Sequence, residues 1–210
     1  GALPVFAPDD AASTAAGITE AAVATLSKEV LVDILTYHVL GAKVTADMVP
    51  ASDAVTTLQG ESLFASKNAN GVFVNGVKVT TADVPASNGV IHVINGVLKA
   101  PTQTIAQIAS APGFSILLSA VVKAGLADAV TGPGKFTVFA PTNAAFEAAG
   151  LNQAAIDAAS VETVTGIVQQ HVIATNVYAS DLINAATAPT IKDGATLTIN
   201  TSPAGVKLTG

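Results

Sequence analysis

The chain contains no cysteine, no tryptophan and no arginine among its 210 residues, and only 11 % of it is charged. Without thiols there is neither a disulfide framework nor a thiolate metal site, and an oxidising compartment poses no redox hazard. The net charge is −6, and residues 1–101 hold five Lys against nine Asp and Glu. Nucleic-acid binding needs a cationic footprint, which is missing. The longest apolar runs, such as residues 90–94 and 116–122, fall far short of the roughly 20 that span a bilayer. Basic amphipathic segments suited to a membrane surface are absent as well, so no membrane insertion is expected within this chain. No signal-peptide pattern precedes Gly1, and the chain reads as a mature or trimmed product.

What is present is a 50 % hydrophobic composition, enough to fill a core, and a long internal repeat. Val5-Phe6-Ala7-Pro8 recurs as Val138-Phe139-Ala140-Pro141 and His38-Val39 as His171-Val172, both at an offset of 133. Leu58-Gln59-Gly60 reappears as Ile191-Lys192-Asp193-Gly194 and Gly71-Val72 as Gly205-Val206, the latter at an offset of 134, so one residue is inserted near Ala179. A period this long makes each copy a domain with its own core rather than a stacking unit. The expected domains are residues 1–101 and 102–210. The first lacks a counterpart of residues 102–136, its N-terminal helices, and the second lacks counterparts of roughly 78–101, its C-terminal strands.

Local patterns place helices at the front of a copy and strands at its back, an α+β arrangement. Apolar spacing predicts helices at 104–108 and 114–124, a strand at 136–140 followed by a helix capped by Thr142, and a helix from Ser27 to Leu40 ending at Gly41. Strands follow at 62–65, 72–74 and 77–79, with a tight turn at Asn75-Gly76. A last strand pair, 90–94 with 96–98, is expected around Asn95-Gly96.

Three stretches together resemble the fasciclin domain. Residues 136–146, Phe-Thr-Val-Phe-Ala-Pro-Thr-Asn-Ala-Ala-Phe with Phe139, Pro141 and Asn143, look like its first hallmark box; Tyr37-His38 looks like its central pair; and residues 88–98, with His92, look like its second box. The resemblance implies a β-wedge or sandwich flanked by helices, in two tandem domains. It also implies secreted or surface-attached proteins of adhesion and matrix assembly. The copies depart from the pattern: Ser13 replaces the packing phenylalanine of the first box, Gln170 stands where the tyrosine belongs, and copy two has no second box within the chain. In animal relatives an acidic stretch before the second box is implicated in integrin contact, and Thr81-Ala82-Asp83-Val84 keeps only the Asp and an aliphatic neighbour.

His38, His92 and His171 are the only histidines. Their scattering among few carboxylates points to structural groups, hydrogen-bonded to neighbouring loops, rather than metal ligands. No Gly-x-Ser-x-Gly elbow occurs, and Gly132-Pro133-Gly134-Lys135 fails the phosphate-loop spacing. Glu29 and Asp33 mark a solvated helix face. Asn200-Thr201-Ser202 is a sequon weakened by Pro203. The chain is therefore expected to be no enzyme, with no cofactor and no metal. Its expected partners are proteins or cell-surface glycans, or further copies of itself, met through Tyr37, His38, Asp83 and Val84. Alternatives are a subunit of a head-to-tail extracellular fibre completed by neighbouring chains, a binder of a small lipid or pigment, and a passive spacer. A window cut from a longer array would also explain the short ends.

Overall fold

The computed structural model describes residues 3–41, 52–131, 135–203 and 205–210. The chain divides into two compact units, residues 1–100 with Tyr178–Asp181 and residues 101–177 with 182–210. Each has its own hydrophobic cluster.

Unit 1 opens with β1 (Leu3–Pro8), followed by α1 (Asp10–Ala15), α2 (Glu20–Val23) and α3 (Lys28–Tyr37). The side chains of Asp9, Thr19 and Ser27 accept from main-chain N–H groups three residues on, which fixes where each helix begins. Strands β2 (Ser52–Thr56), β3 (Ser62–Asn68), β4 (Gly71–Val74), β5 (Val77–Ala86) and β6 (Gly89–Ile94) complete one sheet in the order β1-β6-β5-β4-β3-β2. β1 runs parallel to β6 and the other pairs are antiparallel. At the β4–β5 turn Asn75 and Gly76 both take positive φ, 48° and 79°, as a two-residue hairpin turn requires. Phe6, Tyr37, Leu40, Leu63, Val74, Ile94 and Leu98 form the core.

Unit 2 begins with α4 (Ile105–Ala109), a 3₁₀ turn at Pro112–Phe114, α5 (Ser115–Lys123) and α6 (Ala127–Thr131). Then come β7 (Thr137–Val138), α7 (Asn143–Ala148), α8 (Gln153–Ala158), α9 (Val161–Gln170) and β8 (Val172–Ile173), and finally β9 (Thr187–Pro189), β10 (Thr196–Ser202) and β11 (Gly205–Thr209). β10 lies between β9 and β11, antiparallel to both, and β7 pairs with β8.

The repeat in the sequence is a repeat in geometry. α1 and α7, and likewise α3 and α9, coincide in both ends at an offset of 133, and β3 and β10 coincide at 134. Gly17 and Gly150, at φ 76° and 75°, close equivalent turns, and Gly71 and Gly205 do the same at 126° and 128°. The copies differ where their sequences are short. β1 runs six residues beside β6, whereas β7 runs two, because among the described residues no strand takes the place of β6.

Two expectations are corrected. α3 ends at Tyr37 rather than at Gly41, because Val39 bridges Val5 and the Leu40 N–H donates to Pro4 O, drawing both residues out of the helix. Residues 96–98 form no strand. Asn95 closes onto Lys78, and the Leu98 N–H donates to a histidine ring instead of a ladder. The residues that resemble a phosphate loop lie, except for Lys135, outside the described residues.

In unit 2, α5 covers the other helices: Ile116, Leu117, Ala120 and Val121 form one cluster with Phe146, Ile156, Val164 and Val168. Ile156 is 0 % exposed, while its repeat equivalent Val23 is 37 % exposed. Ile156→Ala is therefore expected to cost about 2–5 kcal/mol through the cavity it leaves. Val23→Ala should cost about 1 kcal/mol or less. Urea unfolding of the two variants checks the asymmetry; equal losses would contradict it.

Candidate functional site

Tyr37 and His38 sit at the end of α3, where the chain leaves the helix for the sheet. Tyr37 is 1 % exposed and His38 4 %. A carbonyl can only accept, so the 2.8 Å contact between His38 Nδ1 and Ile34 O places the proton on Nδ1. Nε2 is then free to accept, and the Leu98 N–H donates to it at 3.0 Å. The His38 carbonyl in turn accepts from the Phe6 N–H at 2.9 Å. Both ring nitrogens are thus committed to main chain, and this histidine is held as a neutral linker.

The Tyr37 hydroxyl accepts from Asn75 Nδ2 at 2.9 Å and donates to Ser62 O at 3.4 Å. Asn75 Oδ1 accepts from the Phe64 N–H at 2.8 Å and from the Tyr178 hydroxyl at 3.2 Å. Burial raises both phenols; for Tyr178, with Tyr37 and Asp181 adding to the effect, the value is pushed up to about 12. Asp181 completes the group, accepting from Ser66 Oγ at 2.6 Å and from the Tyr178 N–H at 2.9 Å. Asn75, Tyr178 and Asp181 were missed as a set by the sequence reading. The Asn-Gly pair signals the turn, but nothing local signals that its side chain ties three elements together.

His92 lies on β6 and is 3 % exposed, its ring 5.3 Å from that of Phe6. Its Nδ1 accepts from the Asp83 N–H at 3.2 Å. Asp83 has φ 57°, at a point where the β5–β6 register slips between Thr81 and Val84. Its side chain is 42 % exposed and Val84 is half-buried. Of the four contact candidates, the structure places Tyr37 and His38 inside the unit and Asp83 and Val84 on its surface.

In unit 2, Phe139 donates its N–H to His171 O at 2.9 Å, repeating the Phe6–His38 bond, and Pro141 precedes the cap Thr142. Asn143 clamps the start of α5: Oδ1 accepts from the Ile116 N–H at 3.0 Å, and Nδ2 donates to Pro112 O and Ser115 Oγ. His171 Nδ1 contacts Ile167 O at 2.8 Å, as in copy one. Its surroundings differ, because no described residue plays the part of Leu98, and His171 is half-buried on the wall of an open cleft of about 850 Å³. Ile167, Gln170, Glu162, Leu151 and Lys192 line the same cleft, a mixed surface. Asp33 of the expected solvated face accepts from Gln59 Nε2 at 2.8 Å. Among the described residues no three His, Asp or Glu side chains gather as a metal would need, and no helix is long and apolar enough to cross a membrane.

The fasciclin-domain family profile matches residues 1–101 and again 112–210. The chain belongs to the fasciclin domain family. It is 45 % identical over 103 residues to protein sll1483 of Synechocystis sp., covering 48 % of this chain and 57 % of that protein. It is 30 % identical over 210 residues to the transforming growth factor-beta-induced protein ig-h3 of Sus scrofa, covering 96 % of this chain and 30 % of the relative. The fasciclin chain thus spans less than two thirds of these relatives' own length. Among solved structures, a FAS1 domain pair from the insect cell adhesion molecule fasciclin I matches 99 % of this chain and 79 % of that one, with a TM-score of 0.44 at 18 % identity.

Burial holds the His38 imidazole below its ordinary 6.5, against the smaller opposite pull of the Ile34 carbonyl. The unfolded chain then takes up the proton more readily than the folded one, so this stability is present above pH 6.5 and is lost as pH falls from there through the folded value. His38→Gln can still accept from Leu98 but does not titrate, and it is expected to flatten that part of the profile. His38→Ala, which leaves the Leu98 N–H unpaired, should cost about 1–3 kcal/mol. Thermal melts between about pH 7 and 5 check both; an unchanged slope in His38→Gln would remove the assignment.

Proposed function

We propose that the chain is a non-catalytic adhesion or matrix-interaction module acting outside the cytoplasm, and that unit 1 meets proteins or cell-surface glycans through the β5 arm around Asp83 and Val84. Both units match the fasciclin domain family, whose resemblance implies adhesion and matrix assembly. The composition agrees: a cysteine-free, weakly charged, acidic chain suits an oxidising exterior and offers nucleic acid nothing. The domains 1–101 and 102–210 serve as two interaction modules in this reading.

The observation that carries it is the way Asp83 is presented. β4 pairs with β5 only at Val77 and Lys78, and among the described residues no strand continues along that edge. From Thr80 to Ala86 every residue except Val84 is exposed. The left-handed backbone at Asp83 is held by a bond to a buried histidine, so the carboxylate is carried on a fixed kink rather than on a mobile loop. An edge interrupted in this way, with Pro85 beyond it, resists pairing with stray strands while leaving its side chains accessible.

A second reading, a subunit of a head-to-tail extracellular fibre completed by neighbouring chains, is favoured by unit 2. The outer edge of β7 and the His171 side of the cleft occupy the repeat positions that β6 and Leu98 cover in unit 1. This reading expects particle size to grow with concentration in light scattering, and a folded monomer at high concentration removes it.

The leading reading is tested by attachment to immobilised protein. Asparagine tolerates the left-handed backbone, so Asp83→Asn removes the charge without new strain. It is expected to weaken attachment about tenfold, with an unchanged melt. Full attachment by Asp83→Asn combined with Val84→Ala would overturn the assignment of this surface.

A further inference from the structure

We propose that the β5 arm carries an acid-operated latch, in which protonation of His92 turns the Asp83 carboxylate inward and so releases the protein or glycan held there. The inference rests on the reading of that arm as the contact surface and names its regulation. The Asp83 N–H donates to His92 Nδ1 at 3.2 Å, a bond that needs a ring nitrogen without a proton. Asp83 Oδ1 lies 4.0 Å from the same nitrogen. One residue thus offers the ring both a donor and an acceptor, and a single proton decides which is used. When Nδ1 takes a proton from solvent, it meets the Asp83 N–H as donor against donor, and that bond is lost. The Nδ1–H then has the carboxylate as its acceptor. Closing from 4.0 Å to the charge-assisted range of about 2.7–2.9 Å takes a side-chain rotation and a small backbone shift.

The backbone at Asp83 suits a two-position element. Its φ of 57° is sparsely populated by residues other than glycine and persists only while its surroundings hold it. The hold is the His92 bond, at the point where the β5–β6 register slips between Thr81 and Val84. From Thr80 to Ala86 all but Val84 are exposed, so the arm can shift without repacking the core. The ring, in contrast, is fixed: it is 3 % exposed, sits 5.3 Å from the Phe6 ring and belongs to a residue paired with Phe6 in the β1–β6 register. A fixed ring and a movable arm mean that protonation is answered by the arm. The other charged and titratable groups nearby are engaged elsewhere. β1 and β6 hold none besides His92, and Asp9, just past β1, accepts from the Ala12 N–H. Lys78 sits at the far end of β5 beside Asn95, and His38, bonded to Phe6 through its carbonyl, has both ring nitrogens on main chain. Asp83 is thus the carboxylate placed to receive the protonated ring.

Titration of the whole chain between about pH 7 and 5, the range in which histidine changes charge, tests the latch with two readouts. Amide and imidazole ¹H–¹⁵N spectra follow it with no partner present: the Asp83 amide and His92 Nδ1 signals should move together through one shared midpoint. Attachment to immobilised protein should fall about tenfold over the same range, matching the loss expected of Asp83→Asn at neutral pH. His92→Asn puts an amide oxygen near the place of Nδ1, where it accepts from the Asp83 N–H but does not titrate, so its attachment should stay level. Both chains keep His38, so the difference between them isolates His92, and thermal melts at each pH check that both are folded. An Asp83 amide that ignores the His92 titration would overturn the latch, and this readout needs no variant. Attachment that falls equally in a folded His92→Asn would overturn it too. If the two signals move together but the chain does not attach at pH 7, the latch stands and the contact surface is what fails.

Discussion

A histidine at the C-terminal end of a helix organises each unit of this protein. The ring turns back to donate from Nδ1 to the carbonyl four residues earlier, and the His carbonyl accepts from the phenylalanine of the first strand. One residue therefore satisfies an orphan helix carbonyl and fixes where the first strand lies against the helix. In unit 1 a third bond, from the Leu98 N–H to Nε2, ties in the segment after β6. Because that bond is buried, losing either partner leaves a polar group unpaired, which costs more than an average hydrogen bond contributes.

The two units share one frame, and the elements described around it explain most of what distinguishes them. Unit 1 keeps β6 and so has a long parallel edge beside β1, a fully buried histidine and Leu98 in its core. On its α3, Leu35 is 64 % exposed. Unit 2 keeps α4 and α5 and so buries its helix face, but β7 is reduced to two residues and its histidine borders a cleft. Each unit acts as the control for the other: exposure in one is measured against burial at the same repeat position in its sibling.

Much of this was legible in the sequence because the deciding signals are local. Ser27, Thr104 and Thr142 begin helices as caps, and Asn75-Gly76 makes a hairpin because both residues accept positive φ. The repeat was visible through Phe6, His38 and their counterparts. The errors arose where distant partners override local pattern. Gly41 reads as a helix stop, yet β-bridges from Val39 and Leu40 end α3 earlier. Gly96-Val97-Leu98 alternates like a strand, but Leu98 has a histidine acceptor 60 residues away. The burial of Tyr37 behind Asn75 and the kink at Asp83 depend on side-chain bonds between elements, which no spacing rule encodes.

The central claim is that His38 and His171 are structural linkers of one type, each bonded through Nδ1 to the carbonyl four residues earlier, while His92 is bonded the opposite way round. A long-range ¹H–¹⁵N spectrum of the imidazoles tests it directly, because it identifies which ring nitrogen carries the proton. At neutral pH the protonated nitrogen should be Nδ1 in His38 and His171, the less common form of a free imidazole, and Nε2 in His92, whose Nδ1 accepts from the Asp83 N–H. An Nδ1 without a proton in His38 or His171 would contradict the account, since the carbonyl four residues earlier could then not be bonded as the fold requires.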